Sequence, residues 1–291
     1  MYLSAWMEGL TPEIVEKAKL ELGETPEKVQ KSLKELKQLL EDEPDLKPIL
    51  DEKFLLRFLR AKKFNVHKAL NTLCNFYRFQ TKHAGIITRF WPSQMKHVLN
   101  MNIINVLPFR GTDGSSIGLC RLGNFDMSKA TVKELIATSN IAVEVGLEPE
   151  ATSVCGSELI LDLNGFTLKH AANLSSPSLL LTLIKYFQDC IACRVKSLHV
   201  VNEPYYFNVI TKFVKKFLHK KLQDRLHFHG RDLKSLHKQI SPELLPEYLG
   251  GKLKLDYKEY NDYILSKDEY FAYMNRYGYL NLRKRLSSIK F

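Results

Sequence analysis

The chain has 291 residues, 45% of them hydrophobic and 11% aromatic, enough for one large folded unit or two modest ones and too apolar for a disordered chain. Its 43 Lys and Arg against 32 Asp and Glu give a formal charge of +11, which favours an anionic partner: nucleic acid, an acidic membrane or phosphate groups. No apolar run approaches the ~18 residues of a membrane span, and the opening "MYLSAWMEGLTPEIVEK" lacks the basic and apolar regions of a secretory signal.

The five cysteines, Cys74, Cys120, Cys155, Cys190 and Cys193, are odd in number and scattered, the usage of reduced thiols. The expectation is a cytoplasmic protein. The first ninety residues read as helices. "TPEIVEKAKLEL" opens with Thr11 as N-cap and Pro12 at the first helical position, and "TPEKVQKSLKELKQLLEDE" repeats the device with Thr25 and Pro26. After Pro44 and Pro48, "DEKFLLRFLRAKKF" places Phe54, Leu55, Phe58 and Leu59 on one face, with Arg57 and Arg60 elsewhere. "NVHKALNTLCNFYRFQTKH" follows, capped by Asn65.

From about Ile104 strands alternate with helices. "SSIGLCRLG", "SELILDLNGF", "KSLHVVNEP" and "LHFHG" read as strands; "KATVKELIATSNIAVEVGLE", "SPSLLLTLIKYFQDC" and residues 207–226 read as helices. That order predicts an α/β fold with a mostly parallel sheet and right-handed crossovers. After "LLPEYLGG" comes a polar, tyrosine-rich tail that ends in the basic "RKRLSSIK". The expected division is a helical domain over residues 1–90, an α/β domain over 91–252 and a tail over 253–291.

No catalytic constellation survives scrutiny. Gly111, Gly114, Gly118 and Gly123 flank one strand without forming G-x-G-x-x-G, and no P-loop or G-x-S-x-G elbow is present. Cys190 and Cys193 make a C-x-x-C before a strand, away from the helix N-terminus that lowers a redox thiol's pKa, so they read as structural. Asp162 ends an apolar strand but has no nearby base, which suits a cap or turn. His219, His227 and His229 lack the Cys, Asp or Glu that would complete a metal set. The sequence therefore predicts no enzyme, no metal and no cofactor.

A wheel for residues 207–226, at about 100° per residue, puts Phe207, Ile210, Phe213, Val214, Phe217, Leu218 and Leu222 on one apolar arc. Lys212, Lys215, Lys216, His219 and Lys220 lie opposite, as a solvated face or one drawn to an acidic surface. Lys221 and Arg225 fall inside the apolar arc as i,i+4 neighbours, beside a single acid, Asp224. Either the helix end emerges from the core there, or both cations meet an anion, because an unpaired buried charge is costly. Arg194 and Lys196, two apart at the root of the preceding strand, point the same way. In a parallel sheet the helix returns beside that root, so the two pairs can meet. Four cations beside an apolar helix suit a phosphorylated lipid headgroup. A nucleic-acid partner would want a longer basic track with interleaved aromatics, which is not visible. The apolarity of "YYFNVITKFVKKFL" fits packing on the sheet, and equally a lid over a hydrophobic cavity.

Together "DEKFLLRFLRAKKFNVHKALNTLCNFYRF", "LILDLNGFTLKH", "RVKSLHVVNEPYYFNVITKFVKKFL", "RLHFHG" and "LLPEYLGG" resemble the CRAL-TRIO family of lipophilic-ligand carriers, and the likeness covers nearly the whole chain. It is nearer the tocopherol- and retinaldehyde-carrying branch than the fungal phosphatidylinositol carriers. The resemblance implies an apolar cavity closed by a mobile gate helix bearing Phe207, Ile210, Phe213, Val214 and Phe217. It places phosphoinositide binding on Arg194, Lys196, Lys221 and Arg225, with Lys and Arg exchanged at the first two positions, which alters fork geometry. It assigns Leu161, Leu174, Tyr186, Ile191 and Leu198 to the cavity lining, with Ser139 as a polar contact. The chain departs from the family in "VGLEPEATSVCG", a few residues longer, and in Tyr186, which replaces a smaller apolar residue. The implied function is a carrier of a hydrophobic small molecule that exchanges cargo at phosphoinositide-containing membranes. The alternative is a phosphoinositide-binding adaptor, or a phospholipid-transfer protein with no vitamin ligand.

Overall fold

A computed structural model of the chain describes residues 2–280; the basic "RKRLSSIK" segment lies outside the described residues. Four capped helices build the N-terminal part. They are α1 (Pro12–Leu22), α2 (Pro26–Glu41), α3 (Glu52–Ala61) and α4 (Val66–Lys82). The side chains of Thr11, Thr25, Asp51 and Asn65 each accept a hydrogen bond from the backbone N–H three residues on, which satisfies donors the first turn would otherwise strand. Phe54, Phe58, Phe76 and Tyr77 pack at ring separations of 5.3 to 6.5 Å to form the aromatic centre of this unit.

Arg57 and Arg60 do not face solvent. Both are buried on α3 and reach into the rest of the molecule. Arg57 meets Glu144 at 2.9 Å, and Arg60 meets Glu24 at 2.6 Å and Glu150 at 2.9 Å. A buried guanidinium needs such partners, and here they come from distant segments.

After α5 (Lys96–Leu99), a five-stranded sheet runs in the order β2 (Ile104–Val106), β3 (Ser116–Arg121), β4 (Ser157–Asp162), β5 (Val195–Val201), β6 (Leu226–Phe228). β2 is antiparallel to β3 and the remaining pairs are parallel. The crossovers are helical, as a parallel sheet requires. They comprise α6 (Val132–Gly146) with α7 (Glu150–Cys155), then α8 (Leu168–Leu174) with α9 (Pro177–Lys185), then α10 (Phe207–Phe217) with α11 (Lys220–Gln223). α9 continues into a π-turn over Tyr186–Cys190. Beyond β6 lies α12 (Lys234–His237).

Two sequence expectations change in detail. Residues 207–226 are not one helix: Leu218 turns extended at ψ 137° between α10 and α11. No Pro or Gly marks that break. The Gln188 amide donates to Phe217 O at 3.1 Å and accepts from His219 N, while Gln223 donates to Lys215 O and Leu218 O. Side chains thus take over the helix-terminal carbonyls, one of them from a segment 29 residues away. The stretch expected to be a tail is also folded, through α13 (Tyr257–Leu265) and α14 (Asp268–Met274). It finishes in β7 (Gly278–Tyr279), which pairs antiparallel with β1 (Leu46–Lys47) between α2 and α3.

Candidate lipid slot and cation cradle

The parallel register assigns each sheet side chain to a face. Gly118, Cys120, Leu159, Leu161, Leu198, Val200, Leu226 and Phe228 share one face; Ile117, Leu119, Ile160, His199 and Val201 share the other. The second face is solidly packed: all five of those residues are 0% exposed, with Leu107, Leu236, Leu245 and Leu249 packed among the aliphatic ones. The first face is equally apolar, yet of these residues only Val200 is fully buried. Central strands ordinarily hide both faces. Cys120 illustrates the contrast. Solvent-sized space touches it, although burial, with Asp162 nearby, pushes its thiol up to about 12.

What covers this face is α10. Phe207 and Ile210 pack with Leu161, Leu174, Leu226 and Phe228 around Leu163, Phe166 and Val200. No residue of α10 is fully buried, and Val209 on its outer side is 73% exposed. The helix therefore rests on the sheet as a loose cover. Phe213 and Val214 are half-buried, whereas Phe217 is 45% exposed and packs tilted against Phe213 at 5.1 Å. Lys212, Lys215, Lys216, His219 and Lys220 are all exposed.

The structure thus brings Leu161 and Leu174 together under the expected gate, and Leu198 lies on the same sheet face, between Leu159 and Leu226. Tyr186 and Ile191 lie instead in the packing against the N-terminal helices, where the Tyr186 ring packs tilted against Phe79 at 4.6 Å. Tyr186 Oη is buried without a partner among the described residues, and burial holds its pKa well above the ordinary value. Ser139, on α6, donates to the Leu135 carbonyl. Gly118, Cys120, Leu159, Leu226 and Phe228 were missed by sequence reasoning. Gly118 carried a usable signal, since a glycine inside a strand often marks a close approach.

One member of the helix pair reaches the strand pair. Arg225, just before β6, donates to the Val195 carbonyl, between Arg194 and Lys196. The strand pair is already engaged, however: Arg194 contacts Glu21 at 2.5 Å, and Lys196 lies 3.6 Å from Glu21 and 3.8 Å from Asp113. Partial burial works to raise the Glu21 pKa, but Arg194, Lys196 and Lys17 outweigh it and hold the carboxyl below its ordinary value. Lys221 sits exposed on α11 rather than inside an apolar arc, because the break at Leu218 turns α11 away from the wheel of α10. Gly156 positions this corner: at φ 86°, a side chain there would lie 2.3 Å from Arg194 O.

The other sequence candidates are structural. Asp162 accepts from Asn164 N and Asn202 Nδ2, a strand-end brace. Cys190 and Cys193 are free thiols, and burial raises both pKa values, the reverse of a redox pair. Among the described residues no group of His, Cys, Asp and Glu could hold a metal ion. His227 and His229 stack beside His199, at 5.4 and 5.2 Å. His199 bonds His229 at 3.0 Å and Ser197 at 2.8 Å, Glu158 accepts from Ser115 and Ser197, and His229 bonds Ser235. Burial and the neighbouring imidazoles lower the His227 pKa, and that of His229 to about 4. The unfolded chain then takes up protons that the folded rings refuse. Stability is therefore expected to fall as pH drops below the ordinary imidazole value of 6.5. Urea midpoints measured from pH 7 to pH 5 should decline, less so for His229→Gln; identical slopes for the two proteins would refute the assignment.

Residues 100–251 match the CRAL/TRIO domain family. The chain belongs to the CRAL/TRIO family. Residues 25–89 of this CRAL/TRIO protein, spanning α2 to α4, also match a Pinta-like UBA domain. It is 33% identical over 265 residues to the alpha-tocopherol transfer protein-like protein of Mus musculus, covering 90% of this chain and 77% of the relative. It is 32% identical over 248 residues to clavesin-2 of Homo sapiens, covering 84% and 76%. The crystal structure of Sfh5 shares the fold at a TM-score of 0.53 and 14% identity, over 97% of this chain and all of that one. Among the described residues no helix is long and apolar enough to cross a membrane.

Proposed function

We propose that this CRAL/TRIO protein carries one hydrophobic small molecule, tocopherol- or retinoid-like, in the slot between the sheet and α10, and exchanges it at phosphoinositide-containing membranes. The observation that carries this reading is the incompletely buried apolar face of an otherwise well-packed sheet. A ligand that buries roughly 400 Å² of apolar surface there gains about 10 kcal/mol before the cost of ordering it. Leu161, Leu174 and Leu198 line the slot with Gly118, Leu159, Leu226 and Phe228, and Phe207, Ile210 and Val214 close it. Thr211 Oγ1, on the same helix, is shielded from solvent and finds no partner among the described residues. A cargo with a single hydroxyl or carbonyl would answer it. The name of one relative, alpha-tocopherol transfer protein-like, points to the same ligand class. Release follows from differential affinity: a headgroup in the cation cradle that favours the displaced α10 weakens the hold on cargo.

The test is to purify the protein gently, weigh it by native mass spectrometry and identify any extracted lipid. A stoichiometric ring-bearing lipid supports the carrier. A bound phospholipid, or no cargo even after incubation with candidate lipids, would replace it with a phospholipid-transfer protein or an adaptor. Gly118→Val is the matching variant, since its backbone is not left-handed and a side chain there would meet Leu159 Cδ1 at 3.2 Å. It should cut cargo occupancy about tenfold, the result of losing roughly 1.4 kcal/mol, with the far-ultraviolet spectrum unchanged. Undiminished occupancy would move the cargo out of this slot.

A further inference from the structure

Hydroxyls on the helices of this protein commonly bond back along their own chain. Thr138, Ser139 and Thr182 each donate to the carbonyl four residues earlier. Thr211, on α10, does not: its Oγ1 is shielded from water and has no partner among the described residues. Its neighbours on the same line of the helix show what it faces. Phe207, four residues before, meets Phe166 edge-on at 5.9 Å, within the cluster that holds Leu226 and Phe228. Lys215, four residues after, carries its ammonium 5.2 Å from the centre of the Phe228 ring. Thr211 therefore lies over β6, the edge strand, with its polar atom on the covered side of the helix.

We propose that Thr211 reads the cargo: its hydroxyl bonds a single hydroxyl or carbonyl at the β6 end of the slot, and the apolar body of the lipid runs from there across the sheet toward Gly118 on β3. This rests on the carrier half of the function proposed above, and adds which atom of the protein selects the lipid and which way round the lipid lies. Water does not reach the hydroxyl, so its partner has to be a molecule that α10 closes over. No residue of α10 is fully buried, so a small shift of the cover makes room without dismantling a core. At the β3 end Gly118 contributes no side chain, and the Cys120 thiol is only a weak hydrogen-bond donor. β3 and β6 are separated by β4 and β5, a distance of about 14 Å at ordinary strand spacing. A ring system or polyene of that reach with one polar atom at its end fits. A phospholipid does not, because its charged head would be stranded beneath the cover.

The experiment uses two pairs of probes, all-trans-retinol and α-tocopherol, each set against the analogue that lacks its hydroxyl. Binding to the delipidated full chain is read by competition with a fluorescent lipid. Wild type should prefer the hydroxylated member about tenfold, the change expected of one buried hydrogen bond. Thr211→Val keeps the shape and removes the hydroxyl, so the preference should fall below about twofold, and Thr211→Ser should retain it. Gly118→Val should weaken both members alike, because it acts at the far end; a shifted preference there would overturn the orientation. Without lipid, the urea midpoint of Thr211→Val should equal or exceed that of wild type, since no internal bond is lost. A lower midpoint would give Thr211 a partner within the fold and overturn the proposal. So would a preference that survives Thr211→Val, or a wild type that fails to discriminate or binds neither pair. Weaker binding by Gly118→Val with an unchanged preference in Thr211→Val would keep the cargo in this slot and remove only the role of Thr211. If Gly118→Val weakens neither member while wild type binds both, the slot itself is the wrong site and the carrier reading falls with it.

Discussion

Reversing Lys221 and Arg225 to glutamate should slow delivery of cargo to phosphoinositide vesicles by about tenfold or more, at roughly 1 kcal/mol per cation near an anionic surface. Uptake of cargo from detergent or neutral vesicles should be nearly unchanged. The separation follows from the geometry: Lys221 lies on α11, past the break at Leu218, and Arg225 holds the root of β5 through the Val195 carbonyl. Neither belongs to the apolar packing beneath α10. Transfer of a fluorescent lipid between vesicle populations, with and without phosphoinositide in the acceptor, measures the effect. Its salt dependence should shrink with the charges removed. Equal transfer rates for variant and wild type would detach the cradle from cargo release.

Replacing Arg57 with alanine should cost about 3–5 kcal/mol of stability, because it strands Glu144 in a site where both partners are almost fully buried. Burial alone would depress the Arg57 pKa, but Glu144 and then Tyr270 more than reverse that and hold it above the ordinary arginine value. The charged form is therefore the one the fold requires. Urea denaturation of Arg57→Ala should show the loss in the midpoint. The double variant Arg57→Met/Glu144→Leu should recover much of it, since two apolar groups leave no orphan charge. A single variant as stable as wild type would mean that water reaches Glu144.

Much of the architecture was readable because its causes are local. The side chains of Thr11, Thr25 and Asn65 cap helices by accepting from backbone N–H groups three residues on, and alternation along β4 and β5 fixes which side chains share a face. The meeting of Arg194 and Lys196 with Arg225 was also accessible, since strand period and crossover direction determine it. What escaped depends on distant partners. Arg57 finds Glu144 87 residues later, so its burial has no signature in "FLLRFLRA". The break after Phe217 is held by Gln188 from a distant turn together with Gln223, and "KKFLHKKLQ" has no Pro or Gly to announce it. Glu21 reaches Arg194 from α1 across 173 residues, which is why the cradle looked emptier from the sequence than it is. Tyr186 was assigned to the slot by likeness, yet its ring packs against Phe79 of α4.

The short ribbon of β1 and β7 has a consequence for how the molecule comes apart. It ties the last described residues to the loop between α2 and α3, while Trp6, near the start, packs on Tyr263 of α13 at 4.6 Å. Neither end can peel off without releasing contacts that belong to the other half, and an excised N-terminal fragment would lose both its pairing strand and the acid, Glu144, that neutralises Arg57. Heating should accordingly produce a single calorimetric peak, with helical and sheet signals vanishing together.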